Sequence, residues 1–173
     1  ESGAEYVLLK PGNYGSDFVR DGLGLDPAEA VQTSNFIGDA VEMCREMGFR
    51  GALLVGHVGK LVKVAGGMLN THSKYGDCRM EILAAHAAAA GLRAERVEEI
   101  LRCVACDDAL RVLREENLYE ATLARLTERV GFHLRAKAGE SMEIEAILFS
   151  KVYGELGRTA DAGALLQKVV SLK

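Results

Sequence analysis

Two short, largely apolar segments, each followed by a glycine-rich stretch, most constrain how this chain can fold. They are Tyr6 to Lys10, followed by Pro11-Gly12, and Gly51 to Val55, followed by Gly56-His57-Val58-Gly59-Lys60. Strands that are apolar at successive positions are typical of parallel sheets covered by helices on both faces. Between them, Phe36 to Met47 carries apolar residues at helical spacing. The first part of the chain is therefore predicted to be α/β.

The segment before that helix predicts shorter elements. Asp26-Pro27 is typical of a helix start, which predicts a short helix from Pro27 to Ala30. Val31 to Thr33 predicts a brief strand, and Ser34 or Asn35 is predicted to cap the helix that follows.

The second half predicts mainly helices. Apolar residues recur three and four positions apart in Met80 to Ala90, Ala94 to Cys106, Asp107 to Glu115 and Leu118 to Val130. Strand character returns at Met142 to Phe149, with Lys151 to Leu156 continuing it or pairing with it, and a helix from Ala162 to Leu172 follows. We predict an α/β fold with a mostly parallel sheet flanked by helices in three layers and a helical block in the second half. Because no repeat or linker interrupts residues 1–173, a single domain is predicted.

Charge and composition exclude several classes of partner. The net charge is −4 and the basic residues are interspersed with acidic ones, so nucleic acid is not an expected partner. No apolar run approaches the ~20 residues needed to cross a bilayer, so no membrane contact is expected. The chain begins without the pattern of a secretory signal, and we expect a cytoplasmic protein with reduced cysteines.

The spacing of Cys103 and Cys106 is compatible with a metal-binding pair. A zinc site usually needs a second pair, and Cys44 and Cys78 stand 34 residues apart. A redox dithiol would follow a strand-to-helix turn, whereas this pair follows a helical run. Buried or helix-surface thiols are therefore the favoured interpretation.

The segment after the first strand is one candidate binding site. Gly12 and Gly15 would let backbone N–H groups approach a ligand closely, and Asn13 supplies both a donor and an acceptor. Ligands of open α/β sheets bind at the carboxyl ends of strands, where this segment is predicted to lie. An ordinary tight turn is the alternative.

The segment after the second strand is another candidate. Gly56 to Lys60 is predicted to form a glycine turn before a helix from Leu61 to Ala65. The free N–H groups of that helix, together with Lys60 and Lys63, would suit a phosphate or carboxylate. The segment lacks the glycine and hydroxyl positions of a P-loop. His57 lies at the same end of the sheet, which raises the chance of a functional rather than structural role.

A dense group of polar side chains follows Gly66-Gly67. Asn70, Thr71 and His72 are succeeded by Ser73 and Lys74, with Arg79 shortly after. Such groups can bind a ligand carboxylate, but a capping segment for the next helix, with Ser73 or Asp77 as the cap, is the structural alternative.

Four stretches resemble the cobalt-precorrin-5B C1-methyltransferase family, known as CbiD, of anaerobic cobalamin biosynthesis. They are Pro11-Gly12-Asn13-Tyr14-Gly15, Ser34-Asn35-Phe36-Ile37-Gly38, the ten residues from Leu54 to Lys63, and Asn70-Thr71-His72-Ser73 with Arg79-Met80-Glu81. The likeness is strongest from Tyr6 to His86. Thr33 stands where the family pattern has Cys, which argues against an essential thiol there.

The resemblance implies methyl transfer from S-adenosylmethionine to C1 of cobalt-precorrin-5B. It implies three groups of site residues: catalytic His57 and His72; cofactor-binding Gly12, Asn13, Gly15, Gly56 and Gly59; and substrate-binding Lys60, Lys63, Asn70, Thr71 and Arg79. The cobalt arrives with the tetrapyrrole substrate, so no protein-bound metal is expected.

The resemblance also implies that the chain is the C-terminal part of a longer enzyme whose N-terminal domain is absent and would be a partner. A homo-oligomer stays open. From the residues alone two other functions stay open: a non-catalytic module that binds a corrinoid or nucleotide, and a structural domain whose glycine segments are ordinary turns.

Overall fold

A single five-stranded sheet organises the protein, whose computed structural model describes residues 4–12 and 15–171. The strands are β1 (Tyr6–Lys10), β2 (Val31–Gln32), β3 (Gly51–His57), β4 (Glu143–Ser150) and β5 (Gly154–Arg158). Their order is β2-β1-β3-β4-β5, and β1 to β4 run parallel. β5 pairs antiparallel with β4, so the end of the chain forms a hairpin. The predicted mostly parallel sheet is confirmed.

Eight α-helices accompany the sheet in these described residues. They are α1 (Gly15–Asp17), α2 (Ile37–Glu46), α3 (Val58–Ala65), α4 (Arg79–Ala89), α5 (Ala94–Leu101), α6 (Cys106–Glu115), α7 (Tyr119–Ala138) and α8 (Ala162–Val170). A π-helical turn, Phe18–Gly22, continues α1, and 3₁₀ turns lie at Pro27–Glu29 and Ser73–Tyr75. None of these helices is long and apolar enough to span a bilayer.

Helices cover both faces of the sheet. Along β3, Ala52 and Leu54 pack into a large core with helices α2 to α7, while Leu53 and Val55 pack on the other face against α8 and the turn after α1. The alternation follows from the pleat, which points successive side chains to opposite faces. The sheet is therefore the middle of three layers, as predicted.

The glycine turn predicted after β3 was wrong. β3 extends through Gly56 to His57, and α3 begins at Val58 without an intervening loop. The helix can begin at once because the His57 side chain caps it: Nδ1 accepts a hydrogen bond from the Gly59 backbone N–H (3.1 Å). Gly56 is needed for packing instead, since a Cβ there would lie 2.8 Å from Leu61 Cγ.

Other element boundaries also differ from the sequence-based expectations. α5 ends at Leu101 rather than Cys106, and α7 runs through Gly131 to Ala138. Neither Ser34 nor Asn35 caps α2, whose N-cap position is Phe36. Cys78 holds the N-cap position of α4, in place of Ser73 or Asp77. The predicted last residue of α8, Leu172, lies outside the described part of the chain, and the single-domain assignment stays a prediction.

Candidate functional site

The loop after β1 lies against two lysines. Gly12 has a left-handed backbone (φ 76°), and a Cβ there would lie 3.2 Å from Lys60 Cε. At Gly15 a Cβ would lie 2.7 Å from Lys10 Cγ. Asn13 lies outside the described residues. Both glycines therefore allow a close approach between the loop and a lysine side chain.

Lys60 joins three segments of the chain at the carboxyl end of the sheet. Its Nζ donates hydrogen bonds to Asn35 Oδ1 (2.5 Å) and to the Ser34 carbonyl (3.2 Å). Thr71 Oγ1 donates to the same Asn35 oxygen (3.2 Å). Burial, and to a lesser degree the charge of Lys63, lowers the pKa of Lys60. Asn35 was not predicted as a site residue, although it belongs to one of the stretches that carry the family resemblance.

Lys63 anchors the segment 70–77 to α3. Its Nζ donates to the carbonyls of Thr71 (3.2 Å) and Gly76 (3.0 Å) and lies 3.9 Å from an Asp77 carboxylate oxygen. The residue is only 4% exposed. Its ammonium group therefore has a structural role, which the prediction of substrate binding did not include.

The segment that Lys63 anchors forms one wall of a surface depression of about 310 Å³. The residues that line it are Asn35, Gly59, Lys63, Thr71, His72, Ser73, Asp77 and Arg79. The structure thus brings together five predicted site residues from α3, α4 and the segment between them. Two of the lining side chains are cationic and one is a carboxylate, so the depression has a surplus of positive charge and suits an anion.

Arg79 and Asp77 form a two-pronged ion pair at the rim of this depression. Arg79 Nε and one of its terminal nitrogens donate to the two carboxylate oxygens at 2.6 Å and 2.7 Å. The hydrogen bonds from Arg79 lower the pKa of Asp77. The guanidinium also lies 3.9 Å from where a Cβ of Gly59 would be. An incoming carboxylate would therefore meet Arg79 beside the first turn of α3, in competition with Asp77.

His57 is held in one orientation beside this rim. Because Nδ1 accepts from the Gly59 N–H, the proton of the neutral ring is on Nε2. The ring packs edge-on against Phe149, with centroids 5.4 Å apart. Burial lowers the pKa of His57, Asp107 acts in the opposite direction and Lys151 adds to the lowering. His57 is therefore neutral at neutral pH and presents an N–H donor.

His72 and Asn70 stabilise the segment between α3 and α4. His72 Nδ1 accepts from the Lys74 backbone N–H (3.1 Å), and Asn70 Oδ1 accepts from the His72 N–H (3.2 Å). Both predicted histidines are thus capping residues. Only His72 lines the depression, whereas His57 contacts Gly59 at its edge.

Sequence reasoning missed a group of residues at the end of β4. Ser150 Oγ donates to Asp107 Oδ1 (2.6 Å), which ties β4 to the start of α6. Next to Asp107, burial raises the pKa of the Cys106 thiol to about 11, so it is neutral at physiological pH. Ser150 directly follows the predicted strand Met142 to Phe149, and this position was the signal that could have indicated the group.

A second depression, of about 650 Å³, opens on the opposite face of the sheet at its carboxyl end. The rings of Phe18 and Phe149 stack there with centroids 4.5 Å apart, and Asp17 and Asp21 lie at its border. Of the predicted site residues that the structure describes, none lines it. Within residues 4–12 and 15–171, no group of three His, Cys, Asp or Glu side chains is placed to hold a metal ion.

The comparisons with known proteins identify the family. The family model described as "CbiD, C-terminal domain" matches residues 70–160. The chain belongs to the CbiD family. Proteins named "Cobalt-precorrin-5B C(1)-methyltransferase" are among its relatives. The one from Ruminiclostridium cellulolyticum is 40% identical over 152 residues, which cover 88% of the CbiD chain and 40% of the relative.

Two further relatives of the CbiD chain carry the same name. The protein from Clostridioides difficile is 34% identical, with 96% of this chain and 41% of the relative covered. The protein from Photorhabdus laumondii is 42% identical, with 86% and 40% covered. The CbiD chain therefore spans about 40% of the length of these curated relatives. No solved structure matches it.

Proposed function

We propose that this CbiD chain takes part in the methylation of C1 of cobalt-precorrin-5B in anaerobic cobalamin biosynthesis, in the cytoplasm, with S-adenosylmethionine as the methyl donor. The observation that carries the proposal is the depression between α3 and α4, where Gly59, His72 and Arg79 converge. Its surplus of positive charge at the carboxyl end of a parallel sheet suits the carboxylates that donor and substrate both carry.

The substrate side of the proposal rests on Arg79. A cobalt-carrying tetrapyrrole is larger than the depression, so one carboxylate side arm would enter it while the ring lies outside. Arg79 offers the planar, two-pronged donor geometry that a carboxylate accepts best, and it already binds Asp77 in this way. Thr71 and Asn70 shape the wall, and Lys63 supplies charge from beneath it.

The donor side rests on the start of α3. Backbone N–H groups in the first turn of a helix lack partners within the helix and bind anions, which suits the carboxylate of S-adenosylmethionine. Gly59 lies in this turn with its own N–H bound by His57 Nδ1, so the carboxylate would meet the other N–H groups of the turn. Gly12 lies beside Lys60 nearby. Gly15 and Gly56 serve the packing of Lys10 and Leu61 and would support the site indirectly. When bound, the donor supplies a methyl group attached to a sulfonium.

The residues of this chain would act mainly by positioning. Methyl transfer is an in-line displacement, so the alignment of the sulfonium methyl with the ring carbon matters more than a strong base. His57, neutral with its proton on Nε2, would donate a hydrogen bond rather than accept a proton there. His72, on the exposed wall, would orient a substrate carboxylate.

The test is methyl transfer to cobalt-precorrin-5B, measured with the chain co-expressed with the additional polypeptide of one of its relatives. Transfer that Arg79→Gln slows and Arg102→Gln leaves unchanged supports the proposal, since Arg102 also pairs with a carboxylate, Glu98, but lies away from the depression. Tight binding of corrinoid or nucleotide without transfer would indicate a non-catalytic module. Absence of both would indicate a structural domain.

A further inference from the structure

An exposed apolar surface covers α2 and the neighbouring edge of the sheet. Four large apolar side chains on it are more than half exposed: Val31 (51%), Phe36 (54%), Met43 (59%) and Met47 (71%). They border a groove of about 370 Å³ whose walls include Val7, Leu9, Ala40 and Phe49. Apolar patches of this kind on a folded protein mark interaction sites.

Helix α2 carries two apolar faces, of which only one is used within the chain. Ile37, Val41 and Cys44 are buried in the core. Phe36, Ala40, Met43 and Met47 follow one another at intervals of four, three and four residues and form a second face, which lies along the groove. A surface helix needs only one apolar face to pack on its own sheet, so the second apolar face of α2 indicates a contact with another polypeptide.

The edge of the sheet beside this face is incompletely paired. β2 pairs with β1 only at Leu9 and Lys10, so within residues 4–12 and 15–171 no strand pairs on that side with the first part of β1, from Tyr6 to Leu8. Asp39 is the one charged residue among the described residues of the groove wall. Charged side chains along the edge of a sheet disfavour pairing with another polypeptide. The edge at Tyr6 to Leu8 is instead accessible to a second polypeptide.

We propose that this surface, formed by Val31, Phe36, Met43 and Met47, binds the polypeptide that the CbiD relatives carry in addition to the matched stretch. The chain spans about 40% of those relatives, and the matched family model describes a C-terminal domain, so most of the additional length precedes it. The inference rests on family membership and does not depend on the proposed catalytic function.

The position of β1 supports this occupant over a second copy of the same chain. Glu5 precedes β1, and its carbonyl accepts a hydrogen bond from the Arg50 N–H (2.8 Å). Arg50 directly follows Phe49, which lines the groove near Met47. The start of β1 therefore lies at the Phe49 end of the groove, so the polypeptide that precedes the matched stretch in the relatives would join the chain beside the surface that we propose it covers.

The test is co-expression of the tagged 173-residue chain with the preceding polypeptide of the Ruminiclostridium cellulolyticum relative. We expect a one-to-one complex by light scattering, and oxidation of Met43 and Met47 by hydrogen peroxide that is about tenfold slower in the complex than in the chain alone, as for buried thioethers. Absence of a complex, or unchanged oxidation rates in a complex, would overturn the proposal.

Matched variants locate the contact. The double variant Met43→Glu, Met47→Glu should weaken the complex by at least about tenfold, the effect typical of central interface residues. Val104→Glu and Val152→Glu change residues that are 82% and 65% exposed elsewhere and should leave it unchanged. Circular dichroism should show all variants folded. Equal affinity of the double variant and the controls for the co-expressed polypeptide would contradict the proposal. A homodimer of the chain alone that the double variant dissociates would also contradict it, because a second copy would then occupy the surface.

Discussion

Lys63 Nζ donates a hydrogen bond to the carbonyl oxygen of Thr71 across 3.2 Å, and this contact holds the start of the segment 70–77 against α3. A second bond to the Gly76 carbonyl (3.0 Å) fixes its far end. One buried ammonium group thus holds the segment that carries His72 over the first turn of α3. The Lys63 side chain adds to the backbone pairing at the start of this segment, where the Thr71 N–H donates to the Asn35 carbonyl (3.0 Å), and so satisfies carbonyl groups that would otherwise lack a donor.

The first prediction concerns this anchor. Lys63→Met should lower the free energy of unfolding by about 2 kcal/mol, because two carbonyl groups lose a charged donor. Lys137→Met is the control, since Lys137 forms a surface ion pair with Glu42 (2.7 Å), and it should cost less than about 1 kcal/mol. Urea denaturation of both variants checks the difference. Equal losses would show that Lys63 does not anchor the segment.

The second prediction concerns Gly56. Gly56→Ala should destabilise the protein by about 1–3 kcal/mol, because the new methyl group would overlap the buried Leu61 side chain. Gly163→Ala, in α8, should instead stabilise by up to about 1 kcal/mol, since nothing lies within 4 Å of its Cβ position. Thermal unfolding measures both. An unchanged stability of Gly56→Ala would contradict the packing role of this glycine.

The third prediction concerns pH. The pKa values of His57, His86 and His133 are all lowered in the folded protein, with burial as the largest cause. As pH falls through the ordinary histidine pKa of 6.5, the unfolded chain therefore binds more protons than the folded one. The free energy of unfolding is thus highest above that pH, where all three histidines are neutral in both states, and it declines below that pH.

His57→Asn isolates one contribution to this decline. Asparagine can still accept the hydrogen bond that caps α3 but does not titrate, so the stability of the variant should fall less steeply between about pH 7.5 and 5. His86→Gln should flatten the curve separately, and the two effects should add. Denaturation curves at several pH values provide the measurement, and a His57→Asn curve parallel to the unmodified one would contradict the prediction.

The fourth prediction concerns the charge of the depression. Asp77→Asn removes the carboxylate that pairs with Arg79 and should raise the affinity for S-adenosylhomocysteine or for a substrate carboxylate. Arg79→Gln should instead lower that affinity by about tenfold, the effect of losing one charged hydrogen bond. Arg102→Gln is the control. Isothermal titration of the co-expressed complex checks all three, and the same affinity in the Asp77 and Arg79 variants would exclude this ion pair from the site.

The elements that the sequence predicted best are those whose signal is local. β1 and β3 are runs of consecutive apolar residues that end in Lys10 and His57, and α2 shows clear helical spacing, so each was found with nearly correct ends. The prediction of a turn at Gly56 was wrong because glycine in a sequence usually indicates a loop. Here the missing side chain of Gly56 leaves space for Leu61, a packing contact that the local sequence does not show.

The site was harder to predict than the fold. Gly59, His72 and Arg79 were expected in one site because of the family resemblance, but the burial of Lys63 was not expected, because lysine is ordinarily exposed. Asn35 and Asp107 were missed since their partners, Lys60 and Ser150, lie 25 and 43 residues away in the sequence. Such contacts leave no periodic pattern to detect.

The most direct measurement is a crystal structure of the chain in complex with its co-expressed polypeptide, soaked with S-adenosylhomocysteine. We predict that the carboxylate of the homocysteine moiety lies beside Arg79, within hydrogen-bond distance of an N–H group in the first turn of α3 other than that of Gly59, which His57 binds. Its location in the depression at Phe18 and Phe149 on the opposite face, or only on the additional polypeptide, would contradict the site proposed for the methyl donor.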